Sequence, residues 1–148
     1  MEPNTSRKIF LVDDDVFCLN LYQQFLIKLG YENISCFTGG VDCLKNIDQH
    51  PDIVFLDYNM EDMSGLEVLK KIKEKNKEII VVFISGQEDV DVAVQVLHNG
   101  AFDYIVKSKI TPDLLHELLK KIEGTLPEKA QAPTKKSFFQ SMKQKMGI

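Results

Sequence analysis

The sequence predicts a single α/β domain built on a parallel sheet, and three observations make that prediction. Five short apolar runs, at residues 9–12, 33–37, 53–56, 79–84 and 104–106, alternate with longer segments of helical periodicity, the pattern of repeated strand–helix units. Three of the runs are almost wholly apolar, as strands covered on both faces must be. The chain has 148 residues, enough for one well-packed core and too few for two of ordinary size.

Each element has its own local justification. After the first run, Leu19, Tyr22, Leu26 and Leu29 recur at helical spacing and stop at Gly30, a residue suited to the left-handed conformation that closes a helix. The second run leads into a weaker helical segment around residues 41–47. Leu66, Leu69 and Ile72 mark a third helix, and Val90, Val94 and Leu97 a fourth that again meets a glycine, Gly100. The fifth helix has the clearest start, with Thr111 as N-cap, Pro112 at the first helical position and Asp113 in the first turn. Leu114, Leu115, Leu118, Leu119 and Ile122 carry it to the neighbourhood of Gly124.

Beyond Leu126 the pattern stops. Residues 128–134 hold two alanines and a proline without periodicity and read as a linker, so residues 1–126 are expected to form the domain and residues 127–148 a linker and basic tail. Phe138, Phe139, Met142 and Met146 could line one face of a short helix with lysines opposite, a pattern that docks on a partner groove or an anionic membrane. A disordered solubilising tail is the preferred reading, because an isolated helix of this length is marginal in water.

Composition narrows the function classes. With 44% hydrophobic and 27% charged residues the chain is neither fibrous nor disordered. The net charge of −4 conceals a tail of +4, from five lysines and Glu128, which leaves −8 on residues 1–127. An acidic domain argues against direct binding of nucleic acid. Cys18, Cys36 and Cys43 form no Cys-x-x-Cys pair and read as reduced, small core residues, and the three histidines lack metal-ligand spacing. The first eight residues lack the apolar stretch of a signal peptide, and the longest apolar run, residues 79–84, is too short to span a bilayer. A cytoplasmic location is expected.

Chemistry enters with the polar residues at the strand ends. Asp13, Asp14 and Asp15 follow the first run, Asp57 the third, Ser85 the fourth and Lys107 the fifth. Ligand sites in open parallel α/β sheets lie at the carboxyl ends of the strands, so these residues converge on one edge. Singly, each has a plainer explanation as a helix cap, a turn residue or a solvated charge; the set of acids, hydroxyl and lysine at four strand ends points to a site. Mg²⁺ favours oxygen ligands, which Asp13, Asp14 and Asp57 supply, and it would relieve the repulsion among them. Asp57 is the candidate nucleophile towards phosphorus. Lys107 would set a point charge, and Ser85 a hydrogen bond, against phosphoryl oxygens.

Four stretches carry a family resemblance: Phe10-Leu11-Val12-Asp13-Asp14-Asp15, the run from Asp52 through Asp57 to Met60 with Gly65 beyond it, Ile84-Ser85-Gly86, and the run from Gly100 through Tyr104 to Lys107. Over about residues 7–124 the chain resembles the CheY-like receiver domains of two-component response regulators. The resemblance implies a flavodoxin-like (βα)5 three-layer sandwich with sheet order 2-1-3-4-5. It implies phosphorylation of Asp57 by the phosphohistidine of a sensor histidine kinase or phosphotransfer protein. Mg²⁺ would be held by Asp14, Asp57 and the backbone carbonyl of Asn59, with Asp13 completing the acidic pocket.

The resemblance further implies a switch in which Ser85 moves towards the phosphoryl group and the ring of Tyr104 turns inward. That movement would alter the face of helix 4, strand 5 and helix 5 that a downstream partner reads. Asn59 and Gln87 match positions that tune dephosphorylation. Such a domain is a signalling module and no enzyme beyond its own phosphotransfer and dephosphorylation.

Two departures from the family pattern stand out. Lys107 precedes Ser108 where proline is usual, and a cis bond without proline costs about 2.5 to 4 kcal/mol, so a trans bond and an altered loop are expected here. Glu61 follows Met60 where proline is common, which is expected to loosen the loop. Other classes stay open at this point: a Mg²⁺-dependent phosphohydrolase with an aspartate nucleophile, although Asn59 stands where such enzymes carry a second acid, and an interaction module indifferent to phosphorylation. The tail could also lead to an effector domain.

Overall fold

A computed structural model of the chain describes residues 3–127; all but Pro127 of the expected linker and basic tail, residues 127–148, lies outside the described residues. The elements run β1 (Ile9–Val12), α1 (Val16–Lys28), β2 (Ile34–Phe37), α2 (Gly40–Lys45), β3 (Ile53–Leu56), α3 (Gly65–Lys75), β4 (Ile80–Ser85), α4 (Val90–His98), β5 (Asp103–Val106) and α5 (Pro112–Glu123). Single 3-10 turns follow α2 at Ile47–Gln49 and β5 at Lys107–Lys109. The strands form one sheet of order β2-β1-β3-β4-β5, and every pair is parallel.

The two-residue period of the strands divides the core. Ile9, Leu11, Ile53, Phe55, Val82 and Ile84 face one side and pack with Leu19, Tyr22 and Leu26 of α1 and Leu115, Leu118, Leu119 and Ile122 of α5. Phe10, Val12, Val54, Leu56, Val81 and Phe83 face the other side and meet Cys43 of α2, Val68, Leu69 and Ile72 of α3, and Val96 of α4. The result is the three-layer sandwich that the resemblance implied. The order reverses between β1 and β3, which is where such folds open a crevice at the carboxyl edge.

Helix ends follow the expected chemistry. Gly30 (φ 99°) and Gly100 (φ 103°) sit in the left-handed region, and the pairs of bonds Gly30 N to Ile27 O with Tyr31 N to Leu26 O, and Gly100 N to Leu97 O with Ala101 N to Val96 O, close α1 and α4. The Thr111 hydroxyl accepts from Leu114 N at the start of α5. The weak second helix is real but has only six residues. Ser85 belongs to β4 itself, paired with Val106, rather than following it. Of the three thiols expected in the core only Cys43 is buried; Cys18 is partly exposed, and Cys36 is exposed on the edge strand β2.

A second polar cluster closes the opposite edge. Arg7, 2% exposed, donates to both carboxylate oxygens of Glu123 (3.2 and 2.6 Å) and to the carbonyl of Pro127 (2.7 Å), and lies 3.7 Å from Asp52. Glu123 also accepts from Asn4 N. The cluster ties the start of β1 to the end of α5.

Candidate functional site

The sheet ladder places the acids. Asp13 N donates to Phe37 O and Asp57 N to Val12 O, so hydrogen bonding of the strands continues one residue past β1 and β3 and fixes both backbones side by side. The three acids after β1 then part company. Asp15 caps α1, accepting from Phe17 N at 2.9 Å. Asp13 turns inward and is 2% exposed, and Asp14 remains exposed. Carboxylate oxygens of Asp13, Asp14 and Asp57 lie within 4.8 Å of one another.

Lys107, delivered by the end of β5, sits 2.8 Å from Asp13 Oδ2 and 3.7 Å from Asp57 Oδ2. Burial by itself would lower its pKa, but the bond to Asp13 and the charge of Asp57 outweigh that and hold the ammonium above its ordinary value. Burial, then the neighbouring Asp13, push the Asp57 carboxyl up to about 7, against the pull of Lys107. One lysine therefore does not neutralise the pocket.

These residues fit a divalent cation. Three carboxylates converge, and Asp13 Oδ2 is buried with its ion contact to Lys107 but no aligned hydrogen-bond donor. Hard cations take such oxygens and lower the mutual repulsion.

Ser85, 1% exposed, lies at the same edge, its Oγ accepting from Gln87 N at 3.4 Å. Tyr104, half-buried on β5, donates from its hydroxyl to Gln87 O at 2.6 Å. The side chains of Asn59 and Gln87 are exposed in the loops after β3 and β4. Gly65 allows α3 to start against the site: its N–H donates to Tyr58 O at 2.8 Å, and a Cβ there would come within 2.5 Å of Asp57 O.

The two departures resolve differently. The bond between Lys107 and Ser108 is trans, as expected, and leads straight into the 3-10 turn. The loop after β3 is not left loose by Glu61. Its neighbour Asp62, which the sequence reading passed over, accepts from Gly40 N (3.1 Å), Val41 N (2.9 Å) and Met63 N (2.8 Å) and fastens the loop to α2. An acid five residues beyond the candidate nucleophile Asp57, opposite a Gly-Gly pair that cannot cap its own helix, was the available signal.

A doubly wound parallel sheet with a buried aspartate, two acids and a lysine gathered at its carboxyl edge defines an aspartate-centred receiver fold. The chain belongs to the response regulator receiver domain family, whose pattern matches residues 9–120. It is 32% identical over 122 residues to the chemotaxis protein CheY1 of Helicobacter pylori, covering 80% of this chain and 98% of that protein. It is 31% identical over 126 residues to the response regulator protein TmoT of Ectopseudomonas mendocina, where it spans 84% of this chain but only 57% of the relative. The crystal structure of a CheY-like receiver domain protein from Methanospirillum hungatei superposes with a TM-score of 0.73 at 27% identity, over 80% of this chain and 95% of that one. The chain thus carries a receiver domain of the two-component response regulator family. Among the described residues no helix is long and apolar enough to cross a membrane.

Proposed function

We propose that Asp57 is the phosphoacceptor and that its donor is the phosphohistidine of a sensor kinase or phosphotransfer protein. The observation that carries this reading is the position of Asp57: 6% exposed, within reach of two further carboxylates, and 3.7 Å from the Lys107 ammonium. An Asp57 oxygen attacks phosphorus in line, the phosphorus–nitrogen bond breaks with its electron pair returning to the imidazole, and an aspartyl phosphate results. Lys107 then balances charge on the phosphoryl oxygens and Ser85 donates a hydrogen bond from its hydroxyl to one of them. Asp13, Asp14, Asp57 and the backbone carbonyl of Asn59 would hold Mg²⁺, which when bound neutralises the carboxylates and the incoming phosphoryl group. Asn59 and Gln87 flank the reacting group and govern the access of water to it.

The output surface is the face of α4, β5 and α5. Val90, Val94 and Leu97 are 73%, 61% and 44% exposed on α4, and a groove of about 350 Å³ runs between Ala93, Tyr104, Val106 and Leu114. Exposed apolar residues beside a groove favour a protein partner. The domain catalyses only its own phosphotransfer and dephosphorylation, and it works in the cytoplasm.

Incubation with Mg²⁺ and a small acyl phosphate tests the assignment. Intact mass should rise by one phosphoryl group for the parent chain and not for Asp57→Asn. A gain in both, or in neither, removes Asp57 from its role.

A further inference from the structure

The Asp62 carboxylate is the tether between two segments that have no covalent reason to meet. It accepts from Gly40 N and Val41 N at the first turn of α2, and from Met63 N in its own loop. Gly39, at the N-cap of α2, supplies no side-chain cap, and a Cβ there would lie 2.6 Å from Asp62 Oδ2. The cap of α2 is therefore borrowed from the loop after β3. A Cβ on Gly40 would likewise meet Met63 Cγ at 2.7 Å, so the two segments are in close contact along their length.

That loop also carries Asn59. Its ends are pinned, by Gly65 N to Tyr58 O on one side and by the Ser64 cap of α3 on the other, while its middle has Glu61 where a proline would have restricted the backbone. We propose that Asp62 is a positioning residue for the phosphoacceptor site: by fastening the loop to α2 it fixes the backbone of residues 59–61 and hence the carbonyl offered to the cation. This rests on the receiver reading above, but it adds a residue and a connection specific to this chain. Stiffening comes from a side chain rather than from a proline ring.

The test separates positioning from simple capping, using the full chain. Asp62→Ala removes the tether; Asp62→Ala with Gly39→Ser gives α2 a cap of its own, in space that the missing carboxylate vacates. Asp62→Asn keeps one acceptor oxygen and removes the charge. Mg²⁺ affinity is read by titration calorimetry, stability by thermal unfolding, and loop order by amide hydrogen exchange at residues 59–63.

Asp62→Ala is expected to weaken Mg²⁺ binding about tenfold, as loss of a group that orients a ligand does, and to lower the Tm by about 5 °C. The Gly39→Ser addition should return the Tm but leave Mg²⁺ affinity low and exchange fast. Asp62→Asn should stay within about threefold of the parent in Mg²⁺ affinity, since geometry rather than charge is at stake. Affinity restored together with the Tm by Gly39→Ser, or Asp62→Asn as weak as Asp62→Ala, overturns the proposal. A parent chain that binds no Mg²⁺ would instead sink the receiver chemistry. In that case exchange alone decides the tether: unchanged protection at residues 59–61 in the doubly substituted chain overturns it, and lost protection there upholds it.

Discussion

Tyr104 and Gln87 are joined by a 2.6 Å hydrogen bond in which the phenol donates to the backbone carbonyl. Gln87 N in turn donates to Ser85 Oγ at 3.4 Å. Tyr104 on β5 thereby holds the first residues of the loop after β4, which begins directly after Ser85. In the proposed switch, a change in where Ser85 points would reach, two residues on, the carbonyl that Tyr104 grips. The link is physical and short, which makes it open to test.

Replacing Tyr104 by Phe keeps the ring in its packing and deletes this bond. The stability cost is expected to be small, about 0.5 to 1 kcal/mol for a partly exposed hydrogen bond. Amide exchange at residues 86–89 should rise, while the rate at which a small acyl phosphate labels Asp57 should stay within about twofold of the parent. Hydrogen exchange and mass-resolved labelling check the two halves separately.

Lys107→Ala leaves Asp13 and Asp57 facing each other without their shared cation. Labelling of Asp57 should slow by about a hundredfold if Lys107 meets developing phosphoryl charge as proposed. Initial rates at saturating Mg²⁺ measure it. A rate near that of the parent would mean that Lys107 only pairs with Asp13.

The pH dependence of the metal-free chain follows from Asp57, whose folded-state pKa is raised to about 7 by burial and by Asp13. A raised carboxyl favours the folded state while protonated, so this contribution is complete below the ordinary aspartate range and is lost as pH rises through about 7. Without metal, stability should fall between pH 5 and pH 8 by roughly 2 to 4 kcal/mol. The loss should be absent in Asp57→Asn and reversed by millimolar Mg²⁺ at pH 8. Urea unfolding at the two pH values reports it.

Arg7 and Glu123 form a buried pair, with side chains 3% and 9% exposed. Arg7→Met alone strands a buried carboxylate and should cost about 3 to 5 kcal/mol, whereas Arg7→Met with Glu123→Leu should recover much of that loss. Chemical denaturation of the two variants distinguishes a stabilising bridge from a costly one. A double substitution as damaging as the single would show that the pair's other bonds, to Asn4 N and the Pro127 carbonyl, carry the edge.

Legibility in the sequence tracked burial. β1 and β3 have the bounds of their apolar runs because all four residues of each are buried, so the hydrophobic pattern and the hydrogen-bond ladder end together. β4 is shifted one residue along its apolar run, dropping Ile79 and adding Ser85, β5 gains Asp103 and β2 drops Asn33; at Ser85 and Asp103 pairing continues after hydrophobicity stops. Cys36 was misplaced in the core for a related reason: an edge strand has a partner on one side only, and its composition does not announce that it is the edge.

The sequence by itself determined the alternation of strands and helices and the arrival of four acids, a serine and a lysine at strand ends. Both are local properties, set by periodicity and by the residue that follows each run. Only the tertiary structure sorted Asp13 into the pocket, Asp14 to its rim and Asp15 to a helix cap. It also chose partners across the chain: Lys107 for Asp13, Arg7 for Glu123, and Asp62 for the first turn of a helix some twenty residues earlier. In a parallel sheet every crossover carries the chain to a neighbour that is distant in sequence, so such pairings depend on strand order, which local patterns do not encode. The acidic site edge was therefore visible in outline from the residues, while the electrostatic state of Asp57 and the tether on its loop were settled by the packing of the sheet.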